Sequence, residues 1–133
     1  MQEPGFRALE FFSGVGGLHY ALDLARPGST VVAAFDQNQA CNATYLHNHG
    51  IAPVDKNIET LTARALEAYG EVDLWLLSPP CQPYSRNGKQ QGSKDPRSAG
   101  FLALLDRIRE EDAGGAWQQQ PGVASPGHEC DCM

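Results

Sequence analysis

The polar and apolar positions of this chain change period several times, and each change marks an element. Arg7 to Phe12 reads as a first strand, followed by the glycine-rich run Ser13-Gly14-Val15-Gly16-Gly17. Leu18, Ala21, Leu22 and Ala25 then recur at spacings of three and four, which predicts a helix from Leu18 to Arg26 that Pro27-Gly28 stops. Thr30 to Phe35 combines β-branched and apolar residues, the composition of a central strand buried on both faces. A helix is expected over about residues 39–47, and a short strand around residues 52–55. Thr60 or Thr62 is placed to cap a further helix reaching Tyr69, with Gly70 as its stop. Val72 to Leu77 reads as the next strand. After a long polar loop, Phe101, Leu102, Leu105 and Ile108 predict a helix over about residues 98–109. Strands alternating with helices in this way imply βαβ units and a parallel sheet, an α/β fold.

After Glu111 the apolar period is lost, and glycine, glutamine and proline dominate. Residues 1–111 therefore read as the domain, and 112–133 as a tail that is disordered or foreign to it. The 133 residues allow one small domain. No apolar run reaches the roughly 18 residues of a membrane span, and no basic-then-apolar leader opens the chain. The four cysteines are unevenly placed and do not form a disulfide framework, which fits a reducing, intracellular setting such as cytoplasm or nucleus. His128, Cys130 and Cys132 lack a second ligand pair at zinc spacing, so no metal is expected.

Two stretches carry candidate chemistry. A glycine-rich turn between a strand and a helix brings backbone N–H groups close to a ligand. An acidic residue at the end of the next strand, about 20 residues on, can accept from ribose hydroxyls. Gly16 and Asp36 have that spacing. The dinucleotide fingerprint requires a third glycine at position 19, which holds His19, so a pyrophosphate cofactor is not supported. A nucleoside cofactor without a pyrophosphate, such as S-adenosylmethionine, remains open, beside a tight turn that binds nothing. The second stretch is Ser78-Pro79-Pro80-Cys81-Gln82-Pro83-Tyr84-Ser85. Two prolines leave the preceding strand stiffly and present Cys81 at its carboxyl end, where open α/β sheets bind ligands. A nucleophile is one reading, and a small buried apolar side chain is the other. The formal net charge of −6 argues against a general electrostatic grip on nucleic acid. Yet Arg86, Lys89, Lys94 and Arg97 cluster just after Cys81, with Asp95 alone against them.

Taken together, Phe12-Ser-Gly-Val-Gly-Gly-Leu18, Asp36 with Asn38, and Pro79-Pro-Cys-Gln-Pro83 resemble, in order and spacing, the early motifs of cytosine-5 methyltransferases. The branch that is related to DNA methyltransferases and methylates transfer RNA is the most similar, also through Tyr84 to Gly88 and Asp95-x-Arg97 followed by Phe101-Leu102. The resemblance covers about residues 5–109. It implies a Rossmann-like S-adenosylmethionine-dependent fold, of which this chain would hold the N-terminal half of the parallel sheet. It also implies S-adenosyl-L-methionine as cofactor. Phe12, Gly14 and Gly16, with Val15 and Gly17 of the same turn, would cradle the methionine part. Asp36 would bind the ribose, and Asn57 and Ile58 would lie beside the adenine. Many family members carry an acidic residue where Asn57 stands. Cys81 would be the catalytic nucleophile, and Arg86, Lys89, Lys94 and Arg97 would hold phosphates of a nucleic acid, transfer RNA more than DNA.

The family's Glu-Asn-Val motif, later arginine motif and target-recognition region do not occur in these residues. The sequence thus reads as a truncated methyltransferase with little or no transfer activity alone. The alternative is a non-catalytic fragment that binds S-adenosylmethionine or a full-length partner. A thiol-redox role for Cys81 would need a resolving cysteine, and no recognisable motif places one.

Overall fold

A computed structural model describes residues 3–80, 94 and 96–113. Its elements are β1 (Arg7–Phe11), α1 (Gly17–Ala25), β2 (Thr30–Phe35), α2 (Gln39–His49), α3 (Ala63–Glu67), β3 (Leu74–Leu77) and α4 (Ala99–Ala113), with short 3-10 turns at Ile58–Thr60 and Pro96–Ser98. The three strands form one parallel sheet in the order β2-β1-β3. The alternation of strands and helices thus gives the α/β architecture expected of it.

The centre of the sheet is β1, not β2 as the apolar run Thr30–Phe35 suggested. Ala8 to Phe11 pair with Leu74 to Leu77 on one side, while β2 pairs along the other. Glu10 had disguised the central strand, because a carboxylate in mid-strand breaks the apolar run that burial on both faces produces. The strand expected near residues 52–55 is reduced to a single parallel bridge between Phe35 and Val54. It still covers the outer edge of β2, through Val54 N–H donating to Ala34 and Asp36 N–H donating to Val54.

Side chains alternate across β1 and divide the core in two. Leu9 and Phe11 face a cluster with Ala33, Phe35, Ile58, Leu61, Leu66 and Leu104. Ala8 joins Leu22, Val31, Ala34 and Tyr45 on the opposite face. Helices α1 and α2 therefore cover one face, and α3 and α4 the other. Phe11 stacks on Phe35 with ring centroids 5.1 Å apart and meets Trp75 at 5.0 Å. Among the described residues no helix is long and apolar enough to cross a membrane.

The helix ends follow local chemistry. Asn38 Oδ1 accepts from Cys41 N–H at 3.0 Å, and Gly50, at φ 72°, closes α2 two residues later than the apolar pattern implied. Thr62, rather than Thr60, caps α3 by accepting from Ala65 N–H. Helix α4 runs on to Ala113, past the boundary expected at Arg109.

Candidate functional site

Three chain segments leave the carboxyl ends of the parallel strands side by side. Phe12 follows β1, Asp36 follows β2, and Ser78 follows β3, where Ser78 N–H still donates to Phe11 O at 3.3 Å. Crevices beyond these ends are where open α/β sheets hold ligands. A cavity of about 270 Å³ opens there, lined by Phe12, Asp36, Gln37, Asn57, Ile58, Glu59, Pro80, Pro96 and Gly100. That volume lies near the lower end of small-molecule sites, which run from about 300 Å³ upward.

Four residues singled out from the sequence therefore meet in one cavity: Phe12, Asp36, Asn57 and Ile58. Phe12 adopts φ 54°, a left-handed conformation rare for a bulky residue, which turns its ring out of strand register. The ring lies against Gly100 of α4, where an added Cβ would come within 3.3 Å of Phe12 Cζ. Asn57 Oδ1 accepts from Glu59 N–H at 3.0 Å, and that bond caps the 3-10 turn carrying Ile58. Pro80, the second of the two prolines that leave β3, lies on the wall, and Gln37, Glu59, Pro96 and Gly100, which were not read from the sequence, complete it. Gly100 left one trace in the sequence, a glycine inside a helical pattern, which does not by itself point to a cavity.

The glycine-rich turn is anchored from two directions. Asp36 Oδ2 accepts from Gly14 N–H at 2.9 Å, and its Oδ1 accepts from Asn38 N–H at 2.8 Å. From the other side, Asn48 Nδ2 reaches Val15 O at 3.4 Å and His49 Nε2 lies 3.1 Å from Gly16 O. Gly16 sits at φ 90°, and a Cβ there would fall 2.1 Å from His49 Nε2. Gly14 thus meets Asp36 directly, and Gly14, Val15, Gly16 and Gly17 adjoin the cavity's Asp36 wall through that one bond without lining the cavity itself. Cys81, Arg86 and Lys89 lie outside the described residues. Lys94 is exposed, and Arg97 belongs to the backbone turn Pro96–Ser98.

Beneath the turn lies a polar network that no sequence pattern announces. Glu10 is 1% exposed and accepts from the Tyr45 hydroxyl at 2.7 Å. Tyr45 in turn meets His19 Nδ1 at 2.8 Å, and the His19 and His49 rings stack with centroids 4.0 Å apart. Burial pushes the Glu10 carboxyl above its ordinary pKa, although the Tyr45 hydroxyl and the His19 backbone N–H oppose the shift. Burial and the neighbouring His49 lower His19, against the pull of Asp23. Burial, then Glu10, raises Tyr45 well above the usual phenol range. His19, Asp23 and His49 bring potential ligand atoms within 4.8 Å of one another. However, the two rings are stacked with planes only 6° apart, and in-plane lone pairs of parallel rings do not converge on one ion.

Comparison with known proteins agrees with this geometry. Residues 6–113 match the family described as C-5 cytosine-specific DNA methylase. A tRNA (cytosine(38)-C(5))-methyltransferase of Schizosaccharomyces pombe is 44% identical over 100 residues, covering 75% of this chain and 30% of that protein. A DNA (cytosine-5)-methyltransferase of Dictyostelium discoideum is 39% identical over 100 residues, covering 75% of this chain and 26% of its own length. The crystal structure of the S. pombe Dnmt2 methyltransferase superposes with a TM-score of 0.66 at 42% identity, covering 79% of this chain and 32% of that one. The chain therefore spans less than a third of the length of these relatives. Its fold is consistent with the Rossmann-like methyltransferase fold of those neighbours.

Proposed function

Since the chain belongs to the C-5 cytosine-specific DNA methylase family, we propose that it is the cofactor-binding and nucleophile-bearing part of a cytosine-5 methyltransferase. The observation that carries this is the meeting of Phe12, Asp36, Asn57 and Ile58 around one cavity at the strand ends, with Pro80 on its wall. The residue after Pro80 is Cys81.

The donor set suits S-adenosylmethionine. Asn57 and Ile58 would lie beside the adenine and Phe12 would border the methionine part, while the Asp36 carboxylate keeps lone pairs for ribose hydroxyls beside the two N–H bonds it accepts. The anchored turn Gly14–Gly17 would hold the methionine end. When bound, the cofactor supplies an electrophilic methyl group. Carbon 5 of cytosine does not attack such a group unaided. Addition of the Cys81 thiolate to carbon 6 makes carbon 5 enamine-like, so that it can take the methyl group. Loss of the carbon 5 proton to a base and departure of the thiolate then restore the ring. The base must be unpaired or flipped out to be reached, and Arg86, Lys89, Lys94 and Arg97 would grip the phosphates around it.

Among these relatives, transfer RNA enzymes predominate over DNA enzymes by name, which supports transfer RNA as the substrate class. A second reading is cofactor binding without methyl transfer. It is favoured by one observation: the residues that line the cavity and were singled out from the sequence, Phe12, Asp36, Asn57 and Ile58, are all ones assigned to the cofactor. Transfer RNA and duplex DNA containing 5-fluorocytosine discriminate the two readings, because fluorine at carbon 5 prevents release of the enzyme. A denaturation-resistant adduct that needs S-adenosylmethionine and is lost in Cys81→Ala supports the enzyme. Cofactor binding with no adduct on either nucleic acid supports the second reading.

A further inference from the structure

The C-terminal turn of α2 touches the glycine-rich turn through a donor whose chemistry is fixed by its partner. Gly16 O can only accept, so His49 Nε2 carries the proton across their 3.1 Å contact. The peptide plane is rigid and trans, so holding the carbonyl of Gly16 also sets the direction of the next N–H, that of Gly17. That N–H points away from His49. The His49 ring is itself held in place. It stacks on His19 at 4.0 Å, meets Tyr45 at 4.6 Å and Tyr20 at 4.4 Å. His19 is fixed in turn: Tyr45 O–H donates to Glu10, so the phenol oxygen accepts from His19 Nδ1–H. A chain of contacts thus runs from a buried carboxylate in the central strand to one peptide of the turn.

We propose that His49 is a positioning residue, which orients the Gly16–Gly17 peptide so that Gly17 N–H is held ready for the carboxylate of S-adenosylmethionine. Asn48 Nδ2, at 3.4 Å from Val15 O, assists more weakly. The inference rests on the cofactor reading above and adds to it a residue on the far side of the turn, out of contact with the cavity walls. Gly16 O also accepts from Tyr20 N–H at 3.2 Å, so His49 is the second of two donors on this carbonyl. A side chain that packed without donating would leave the helical bond alone to fix the direction of this peptide.

The test compares His49→Phe, which keeps a stacking ring and removes the donor, with His49→Gln, which keeps an N–H donor. Calorimetry measures the affinity of each for S-adenosylmethionine and for its decarboxylated analogue, and the Gly17 amide resonance is followed in the ligand-free chain. The expected result is a loss of about tenfold or more in His49→Phe, the size of a hydrogen bond to a charged group. The loss is confined to the ligand that has a carboxylate, and it is largely restored in His49→Gln. The Gly17 amide resonance should shift in the Phe variant and return in the Gln variant. Equal losses for both ligands, or an unmoved Gly17 resonance, would overturn the proposal. If the wild-type chain binds neither ligand, the cofactor reading fails, and the Gly17 resonance alone then decides whether His49 sets the peptide.

Discussion

The Asp36 carboxylate and the backbone N–H of Gly14 lie 2.9 Å apart, joining the end of β2 to the turn that follows β1. One side chain thus both shapes the turn and borders the cavity. Asp36→Ala should therefore weaken S-adenosylmethionine binding by more than a ribose contact alone, by about 10- to 100-fold for the loss of hydrogen bonds to a charged group. Asp36→Asn, with a single acceptor oxygen, should fall between the two. Titration calorimetry on the three proteins gives the ranking.

Gly16→Ala tests how closely α2 packs on the turn. The new Cβ would meet His49 Nε2 at 2.1 Å and Tyr45 Cδ2 at 3.0 Å, at a φ of 90°. Backbone strain and overpacking each cost about 1–3 kcal/mol. Urea unfolding should show a loss in that range or above.

Gly100→Ala should separate stability from binding. Alanine favours an α-helix by about 1 kcal/mol over glycine. Its methyl, however, would crowd the Phe12 ring at 3.3 Å. The melting temperature should change little, while cofactor affinity falls as the ring is pushed toward the cavity. By contrast, Leu104 is fully buried in the cluster under β1, and Leu104→Ala should cost about 2–5 kcal/mol of folding free energy.

The buried network predicts two pH slopes of opposite sign. Glu10 has a raised pKa in the folded chain, so the stability it contributes is full below the ordinary value of 4.5 and is lost as pH rises through the folded value. His19 has a lowered pKa, so its contribution is full above 6.5 and is lost as pH falls through the folded value. Denaturant melts across this range should show Glu10→Gln removing the first slope and His19→Asn the second.

Much of the fold was legible because it depends on local pattern. Thr30–Phe35 is β-branched and apolar, and it forms a strand with those bounds. Pattern failed where pairing decides. The stretch near Val54 has few β-formers and makes one bridge, and Glu10 concealed the strand at the centre of the sheet. Asp36 could be named from its spacing to Gly16, and Phe12, Asn57 and Ile58 from the family resemblance. Gly100 and Pro96 could not, because they reach the cavity only when α4 docks through Leu104. Glu10, Tyr45, His19 and His49 are separated by up to 39 positions and share no motif, so only folding brings them together.

The most direct test of the account is calorimetric titration of the purified, folded chain with S-adenosylmethionine. The account predicts saturable one-to-one binding that is strongly weakened in Asp36→Ala. A chain with an intact far-ultraviolet spectrum and a cooperative melt that nonetheless shows no binding heat at any temperature would contradict it.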